Sequence, residues 1–404
     1  MTRPHLALRA PSSKSQTQRA ILIAALTPGR SILHHPLDCD DSRHLKACLS
    51  ALGTKLIEDG ERLEIRGGPL RAPSSPLDCG DGGTTLRFLL PTSLLLKGSV
   101  VFDGSARLRE RPLTPLLEAL ESLGASIEHL GQPGRIPVRI SPPETAGRRV
   151  SIDASETSQF ASGLLLTGPR LPNGLELQAE VAVSAPYLDM TLDAMRCRGA
   201  SVERNPHGYS VHKGAYEAGE HSIEGDWSSA AFLLVGARIA GLDLHLVNAD
   251  PSSAQGDKVI VTQLRELDEP RPHTFDLTHC PDLIAPLAIA AALAAEPTRI
   301  VGAAHARLKE SDRLGTLAEG LRAVGVNALE TQDGLELRPG GTLRPGVVRT
   351  RRDHRMAMAF ALLSLREPGI DVDDRDCVSK SYPSFWEDLE KMRAHHHSAY
   401  RTHP

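Results

Sequence analysis

Six times along the chain a short polar opening runs into a nearly continuous stretch of Ala, Leu, Ile and Phe, and each such stretch is followed by an amphipathic segment. The six apolar stretches begin with SSKSQTQRAILIAAL at Ser12, GGTTLRFLLPTSLLL at Gly82, TSQFASGLLL at Thr157, WSSAAFLLVGARIA at Trp227, PDLIAPLAIAAALA at Pro281 and DHRMAMAFALLSL at Asp353. Apolar on nearly every side, they predict helices buried all round. Their partners, HLKACLSALGTKLIE, LLEALESLGASIE, LDAMRCRGASVE, VIVTQLRELDEP, LAEGLRAVGVNALE and FWEDLEKMRA, carry leucines at helical 3–4 spacing. Most close on Gly, the expected stop after an amphipathic helix. Short alternating runs such as LEIRGG, VRISPP, YSVHKG and LELRPGG then predict strands.

The repeat interval, roughly 55–75 residues, is too long for a solenoid and suits a compact unit containing a βαβ element. Three units per domain and two domains fill the chain. The interval from Trp227 to Pro281 lacks the usual Gly-strand-strand segment, so the fourth unit is expected to have a reduced sheet edge. HHHSAYRTHP at the end, from His395 with a further His403, is expected to be a frayed tail.

Composition narrows the chemistry. The 404 residues carry a formal charge of −4 and are 40% hydrophobic but 3% aromatic, which excludes fibrous and disordered classes and puts the core on Leu, Ala, Val and Ile. Near-neutral charge and few aromatics argue against a nucleic-acid binder. No apolar run approaches the roughly 20 residues of a membrane span, and the start has no apolar signal core, so a cytoplasmic protein is expected. Six dilute cysteines without a C-x-x-C pair read as reduced thiols and not as a zinc site or disulfide frame.

Cations gather where the apolar helices open: Lys14 and Arg19, Arg87, and Arg355. Arg107, Arg109 and Arg111 in RLRERP, Lys309 and Arg313 in LKESDRL, and Lys380 in VSKSYP add to them. A helix N-terminus already favours an anion, so cations placed there imply anionic ligands, although polar residues at a helix start often only cap it. GDGGTTLR reads equally as a phosphate loop or a tight turn, and it is neither a Walker loop nor a dinucleotide fingerprint. LKESDRL could be a salt-bridged helix face, with Lys309, Asp312 and Arg313 as helical neighbours and Glu310 a quarter-turn away. DHR could be a helix cap with a surface His354.

Taken in order, SSKSQTQRA, GDGGTTLR, RLRERP, TSQF, SAPYLDMTL, EGDWSSAAF, QGDK, PDLIAP, LKESDRL, DHRMAM and SKSYPSF resemble the 5-enolpyruvylshikimate-3-phosphate synthases of the enolpyruvyl transferase superfamily, from Pro11 to about Met392. The resemblance implies an α/β fold: a two-domain inside-out α/β barrel built from six βαβαββ repeats. One domain would take residues 13–223, the other 1–12 with 224–404. It implies transfer of the enolpyruvyl group of phosphoenolpyruvate to the 5-hydroxyl of shikimate 3-phosphate with release of phosphate, without metal or organic cofactor, and a monomer is expected.

Carried over by position, Ser15, Arg19, Thr157, Ser158, Gln159, Ser184, Tyr187, Asp282 and Lys309 would hold shikimate 3-phosphate. Lys14, Gly83, Arg87, Arg111, Gln159, Arg313, Arg355 and Lys380 would surround phosphoenolpyruvate. Asp282 and Glu310 would carry the protons, with Lys14 and His354 close to the reacting groups. Asp282 is the candidate base, and the acid toward C3 is Glu310 or Lys14. Two substrates bearing two phosphates and two carboxylates need such a gathering of cations, and Arg offers each a bidentate fork.

Some positions depart from the family pattern. Asp81 stands where Asn is usual, Thr157 for a frequent Ser, His305 for Asn and Phe88 for Pro. Gly83 keeps the small residue that predicts sensitivity to glyphosate. Because the implied residues come from both halves, domain closure on ligand binding is expected. GSARLRERP has no Cys before its Arg-Pro pair, which argues against the sister transferase acting on UDP-N-acetylglucosamine. A non-catalytic relative on the same fold is the other alternative.

Overall fold

The computed structural model describes residues 3–180 and 183–401, with side chains up to 396. The chain divides into two compact units, one made of residues 1–11 and 225–404 and the other of residues 12–224.

In the 12–224 unit the three apolar stretches form Lys14–Leu26, Gly83–Leu89 with the 3₁₀ turn Leu90–Leu95, and Gln159–Thr167. Each packs against the other two, and Ile21, Leu22, Ala25, Leu86, Leu89, Leu164 and Leu165 are all buried. Around them stand three four-stranded sheets. The order in the first is Glu220–Ser222, Gly29–His34, Arg62–Gly67, Lys55–Asp59. In the second it is Leu77–Asp78, Val100–Asp103, Val138–Ser141, Ser126–His129, and in the third Arg149–Asp153, Leu175–Glu180, Gly208–Val211, Val202–Asn205.

Each sheet follows one rule. Its first two strands run parallel, and an antiparallel hairpin completes it. The first sheet takes its parallel strand, Glu220–Ser222, from the far end of the unit. Parallel pairing needs a crossover, which Gly83–Leu89 supplies in the second sheet and Gln159–Thr167 in the third. Strands such as Val138–Ser141 and Arg149–Asp153 alternate buried and more exposed residues, as in a sheet with one wet face.

The other unit repeats the plan with Trp227–Ala240, Ile284–Ala292 and His354–Leu363 at its centre, again mutually packed. Among the described residues its one four-stranded sheet is His273–Asp276, Thr298–Val301, Leu335–Arg338, Asn327–Glu330. The fourth repeat keeps only the parallel pair His5–Leu8 and Asp243–Leu246, which is the reduced edge that the missing Gly-strand-strand segment predicts. The sixth is reduced too, to Gly346–Val348 and Ile370–Val372, a feature the sequence pattern did not bring out. There the long helix Phe385–Arg401 follows in place of a hairpin.

The expected frayed tail is therefore corrected. The helix continues through Arg401, with His395 Nδ1 2.8 Å from the Lys391 carbonyl and His396 Nδ1 2.8 Å from the Ala240 carbonyl. His403 lies outside the described residues. The amphipathic helices of the regular repeats stop on glycines with left-handed backbone, such as Gly53 at φ +96° and Gly325 at φ +91°. All six cysteines are free, four of them buried.

Candidate active site

In the 12–224 unit the N-terminal turns of the three central helices meet. Ser13 caps the first, its hydroxyl accepting from the Gln16 amide, so that Lys14 projects from the opening turn. Lys14 Nζ lies 2.8 Å from Asp41 Oδ2. The Asp41 carbonyl accepts from the Thr85 hydroxyl at 3.1 Å, which ties this ion pair to the second helix. There Arg87 Nη1 donates to Gln159 Oε1 (2.8 Å), and Gln159 Nε2 donates to the Thr84 hydroxyl (3.1 Å), joining the second helix to the third. Gly83 opens the second helix against Arg111: a Cβ there would sit 2.4 Å from Arg111 Nη1, so no larger residue fits without moving that guanidinium.

Arg19 is 2% exposed, and three of its N–H groups are committed. Nε donates to the Thr191 hydroxyl (2.8 Å), Nη1 to the Ser15 carbonyl (2.9 Å) and Nη2 to the Tyr187 carbonyl (2.7 Å). Its guanidinium carbon lies 5.1 Å from the centre of the Phe88 ring, a cation–π platform that the usual proline could not supply. Burial pulls Arg19 down to about 10, which leaves it charged at neutral pH.

Thr157 Oγ1 accepts from the Gln159 amide (3.3 Å) at the start of the third helix, and Ser158 is buried beside it. Ser184 is buried in a left-handed conformation, φ +57°, ahead of the helix Ala185–Arg196 that carries Tyr187. Asp81, the departure in the Gly-rich loop, accepts from the Ser105 hydroxyl. Arg107 and Arg109 pair at the surface with Glu110 and Asp103, so of the three arginines in RLRERP only Arg111 is buried.

The second cluster lies in the other unit and is organised around Arg313, which is 1% exposed. Its Nε meets Asp353 Oδ2 at 2.9 Å, Nη1 meets Asp282 Oδ1 at 3.0 Å and Nη2 meets Glu310 Oε2 at 2.8 Å. Arg355 Nη2 takes the other Asp282 oxygen at 2.8 Å, and Lys380 Nζ lies 3.7 Å from Glu310 Oε1. Asp353 accepts from the Arg355 amide and from the Ser311 hydroxyl, capping the helix His354–Leu363 while anchoring Arg313.

Burial alone would raise the Asp282 carboxyl, but Arg355, Lys309 and Arg313 outweigh it and hold the group well below the usual carboxylate range. Burial would likewise pull Arg313 down, and Asp353, Glu310 and Asp282 instead hold it above its ordinary value. His305 is pushed down to about 4 by burial and by Lys309, so it is neutral at physiological pH.

Two local expectations are corrected. LKESDRL is not helical throughout: Asp312 caps a helix that begins at Arg313, Lys309 is extended, and Glu310, expected a quarter-turn away, instead pairs with Arg313. His354 is not at the surface but 1% exposed, since the whole opening turn of its helix is inside. Asp41 and Asp353 escaped the sequence reading because an acidic residue at a helix start ordinarily signals only a cap. Nothing within QGDK or EGDWSSAAF signals that Asp257 and Ser228 meet. Among the described residues no group of three or more His, Cys, Asp or Glu side chains is arranged to hold a metal ion, and no helix is long and apolar enough to cross a membrane.

The family model of EPSP synthase (3-phosphoshikimate 1-carboxyvinyltransferase) matches residues 5–389. The chain is 36% identical over 409 residues to the 3-phosphoshikimate 1-carboxyvinyltransferase of Methanospirillum hungatei, covering 95% of each. With the enzyme of the same name from Escherichia coli O6:H1 it shares 35% identity over 406 residues, again 95% of each. Among solved structures it resembles EPSP synthase from Acinetobacter baumannii, with a TM-score of 0.80, 24% identity and 96% of each chain covered. It also resembles the enolpyruvyl transferase NikO from Streptomyces tendae, with a TM-score of 0.74, 18% identity, and 97% of this chain and 95% of that one covered. These neighbours share the two-domain inside-out α/β fold, in which helices form the centre of each unit and sheets its outside. Buried cation clusters, repeated helix openings and full-length similarity converge, and the chain belongs to the EPSP synthase family.

Proposed function

We propose that the chain moves the enolpyruvyl group of phosphoenolpyruvate to the 5-hydroxyl of shikimate 3-phosphate and releases phosphate, a step of aromatic amino-acid biosynthesis. The observation that carries this reading is Asp282, a carboxylate clasped by Arg313 at 3.0 Å and Arg355 at 2.8 Å. It is a base held beside cations that an anionic substrate can draw away.

On this reading Ser15, Arg19, Thr157, Ser158, Gln159, Ser184, Tyr187 and Lys309 hold shikimate 3-phosphate. Lys14, Gly83, Arg87, Arg111, Gln159, Arg313, Arg355 and Lys380 receive phosphoenolpyruvate. Asp282 takes the proton of the 5-hydroxyl as that oxygen attacks C2, while Glu310 or Lys14 protonates C3. The tetrahedral adduct then loses phosphate as C3 returns a proton and the double bond reforms. Without substrate, Asp282 is a weak base because its neighbours stabilise the carboxylate. Substrate anions on Arg313, Arg355 and Lys309 would offset those charges and raise its proton affinity where the hydroxyl arrives. His354, buried beside Asp353, would act near the reacting groups from the same helix opening.

We take each compact unit to be one domain of three repeats and the protein to act as a cytoplasmic monomer. Six unbridged thiols suit a reducing compartment. Mixing the purified protein with both substrates and following phosphate release tests the reading. Release with UDP-N-acetylglucosamine in place of shikimate 3-phosphate would overturn it.

A further inference from the structure

Two sequence motifs to which the reading above assigns no substrate contact, QGDK and EGDWSSAAF, are joined in the structure. Gln255 Oε1 accepts from the Trp227 amide (3.0 Å) and its Nε2 donates to the Gly225 carbonyl (2.8 Å), pinning the segment to the opening of the helix Trp227–Ala240. This sets Asp257, 2% exposed on the turn Gly256–Val259, against the Ser228 hydroxyl, which is hydrogen-bonded to Asp257 Oδ2. Asp226 caps the same helix, accepting from the Ser229 amide and hydroxyl. The three central helices of this unit pack on one another. Arg355 occupies the corresponding opening of His354–Leu363, and Asp282 stands on the turn Pro281–Leu283, which leads into Ile284–Ala292 and packs against Trp227–Ala240 as the turn of Asp257 does, so Asp257 comes within electrostatic reach of both.

We propose that Asp257 is a positioning residue that controls how far Arg355 is available to an anionic substrate, phosphoenolpyruvate on the reading above. Protonated, it leaves Arg355 to Asp282 and the incoming anion; ionised, with the Ser228 hydroxyl donating to it, it adds a second negative charge facing Arg355.

The charged surroundings make Asp257 the group that switches. Burial pushes its carboxyl up, the negative charge of Asp282 pushes it further and Asp226 adds to the rise, against the opposing pull of Ser228 and Arg355, to about 7. Asp282 stays ionised, and the nearby Cys280 thiol, driven to about 12 by burial and by Asp257, stays neutral. As pH rises through neutrality the cluster therefore gains one negative charge, at Asp257. The KM for phosphoenolpyruvate should rise there while kcat does not fall.

The test is the pH dependence of KM and kcat for phosphoenolpyruvate, from about pH 6 to 9, in the unmodified protein, Asp257→Asn and Ser228→Ala. The unmodified protein should show a rise in KM on the order of three- to tenfold across the transition, the size expected of one like charge at short, screened range. Asp257→Asn should flatten that limb. Ser228→Ala should move it to higher pH, because the hydroxyl that favours the ionised carboxylate is gone. Ionisation of the substrate itself is common to all three and cancels in the comparison. Identical KM profiles in all three proteins would overturn the proposal while leaving the proposed function standing. Should Asp257→Asn not fold, an unmoved limb in Ser228→Ala would overturn it alone. Absence of phosphate release by the unmodified protein would instead remove the proposed function and this inference with it.

Discussion

Arg313 and Asp353 meet through Nε and Oδ2 at 2.9 Å, both wholly inside the unit and each holding a second element in place. Arg313 reaches Asp282 and Glu310 from one side, and Asp353 caps the helix that presents His354 and Arg355 from the other. The ion pair thus fixes the geometry of the whole cluster.

Breaking it should be costly. Asp353→Ala leaves a buried guanidinium short of a partner and should destabilise this unit by about 3–5 kcal/mol. Urea unfolding followed by tryptophan fluorescence reads this unit selectively, because Trp227 and Trp386 both lie in it. A midpoint unchanged from the unmodified protein would show that Arg313 is held by its other partners alone.

Asp282→Ala should lower turnover by on the order of 10²–10⁴, the range for loss of a general base, while leaving both substrates bound. Removing this carboxylate also takes one anionic partner from each of Arg313 and Arg355, so the KM for phosphoenolpyruvate should stay level or fall. Steady-state kinetics separates the two effects, and full activity would take Asp282 out of the mechanism.

Arg19→Ala should act on the other substrate. Loss of charge-assisted hydrogen bonds worth about 1.5–3 kcal/mol corresponds to a dissociation constant for shikimate 3-phosphate raised roughly 10- to 150-fold. Titration calorimetry measures it directly. An unaltered constant would contradict the assigned contact and leave Arg19 only its structural bonds to Ser15, Tyr187 and Thr191.

Gly83→Ala places a methyl group 2.4 Å from the present position of Arg111 Nη1, so the guanidinium must move. The KM for phosphoenolpyruvate should rise several-fold, about 1 kcal/mol or more of lost anion binding, with shikimate 3-phosphate affinity little changed. Sensitivity to glyphosate should fall in the same variant. Steady-state rates of the unmodified protein that do not change in millimolar glyphosate would reject the sensitivity itself.

Much of this architecture is legible in the sequence because it is periodic. Six apolar helices and their glycine-stopped partners announce themselves by composition, and the missing segment after Trp227 foretells the two-stranded fourth sheet. The sixth sheet is equally short, but a strongly amphipathic helix follows there, and nothing in its pattern tells a terminal helix from the first half of a regular repeat. The cations of the site are visible because charge at the opening of a buried helix is unfavourable without an anion. Their carboxylate partners Asp41 and Asp353 are not, because an acid at a helix start is already accounted for by capping. Asp257 is hidden for a different reason. Its meaning depends on burial against Ser228 and on nearness to Asp282 and Arg355, all distant in sequence.

Phosphate release on mixing the purified protein with shikimate 3-phosphate and phosphoenolpyruvate tests the central claim most directly. One phosphate should be released per phosphoenolpyruvate consumed, dependent on shikimate 3-phosphate and slowed on the order of 10²–10⁴ in Asp282→Ala. No release with shikimate 3-phosphate, or release that depends instead on UDP-N-acetylglucosamine, would contradict it.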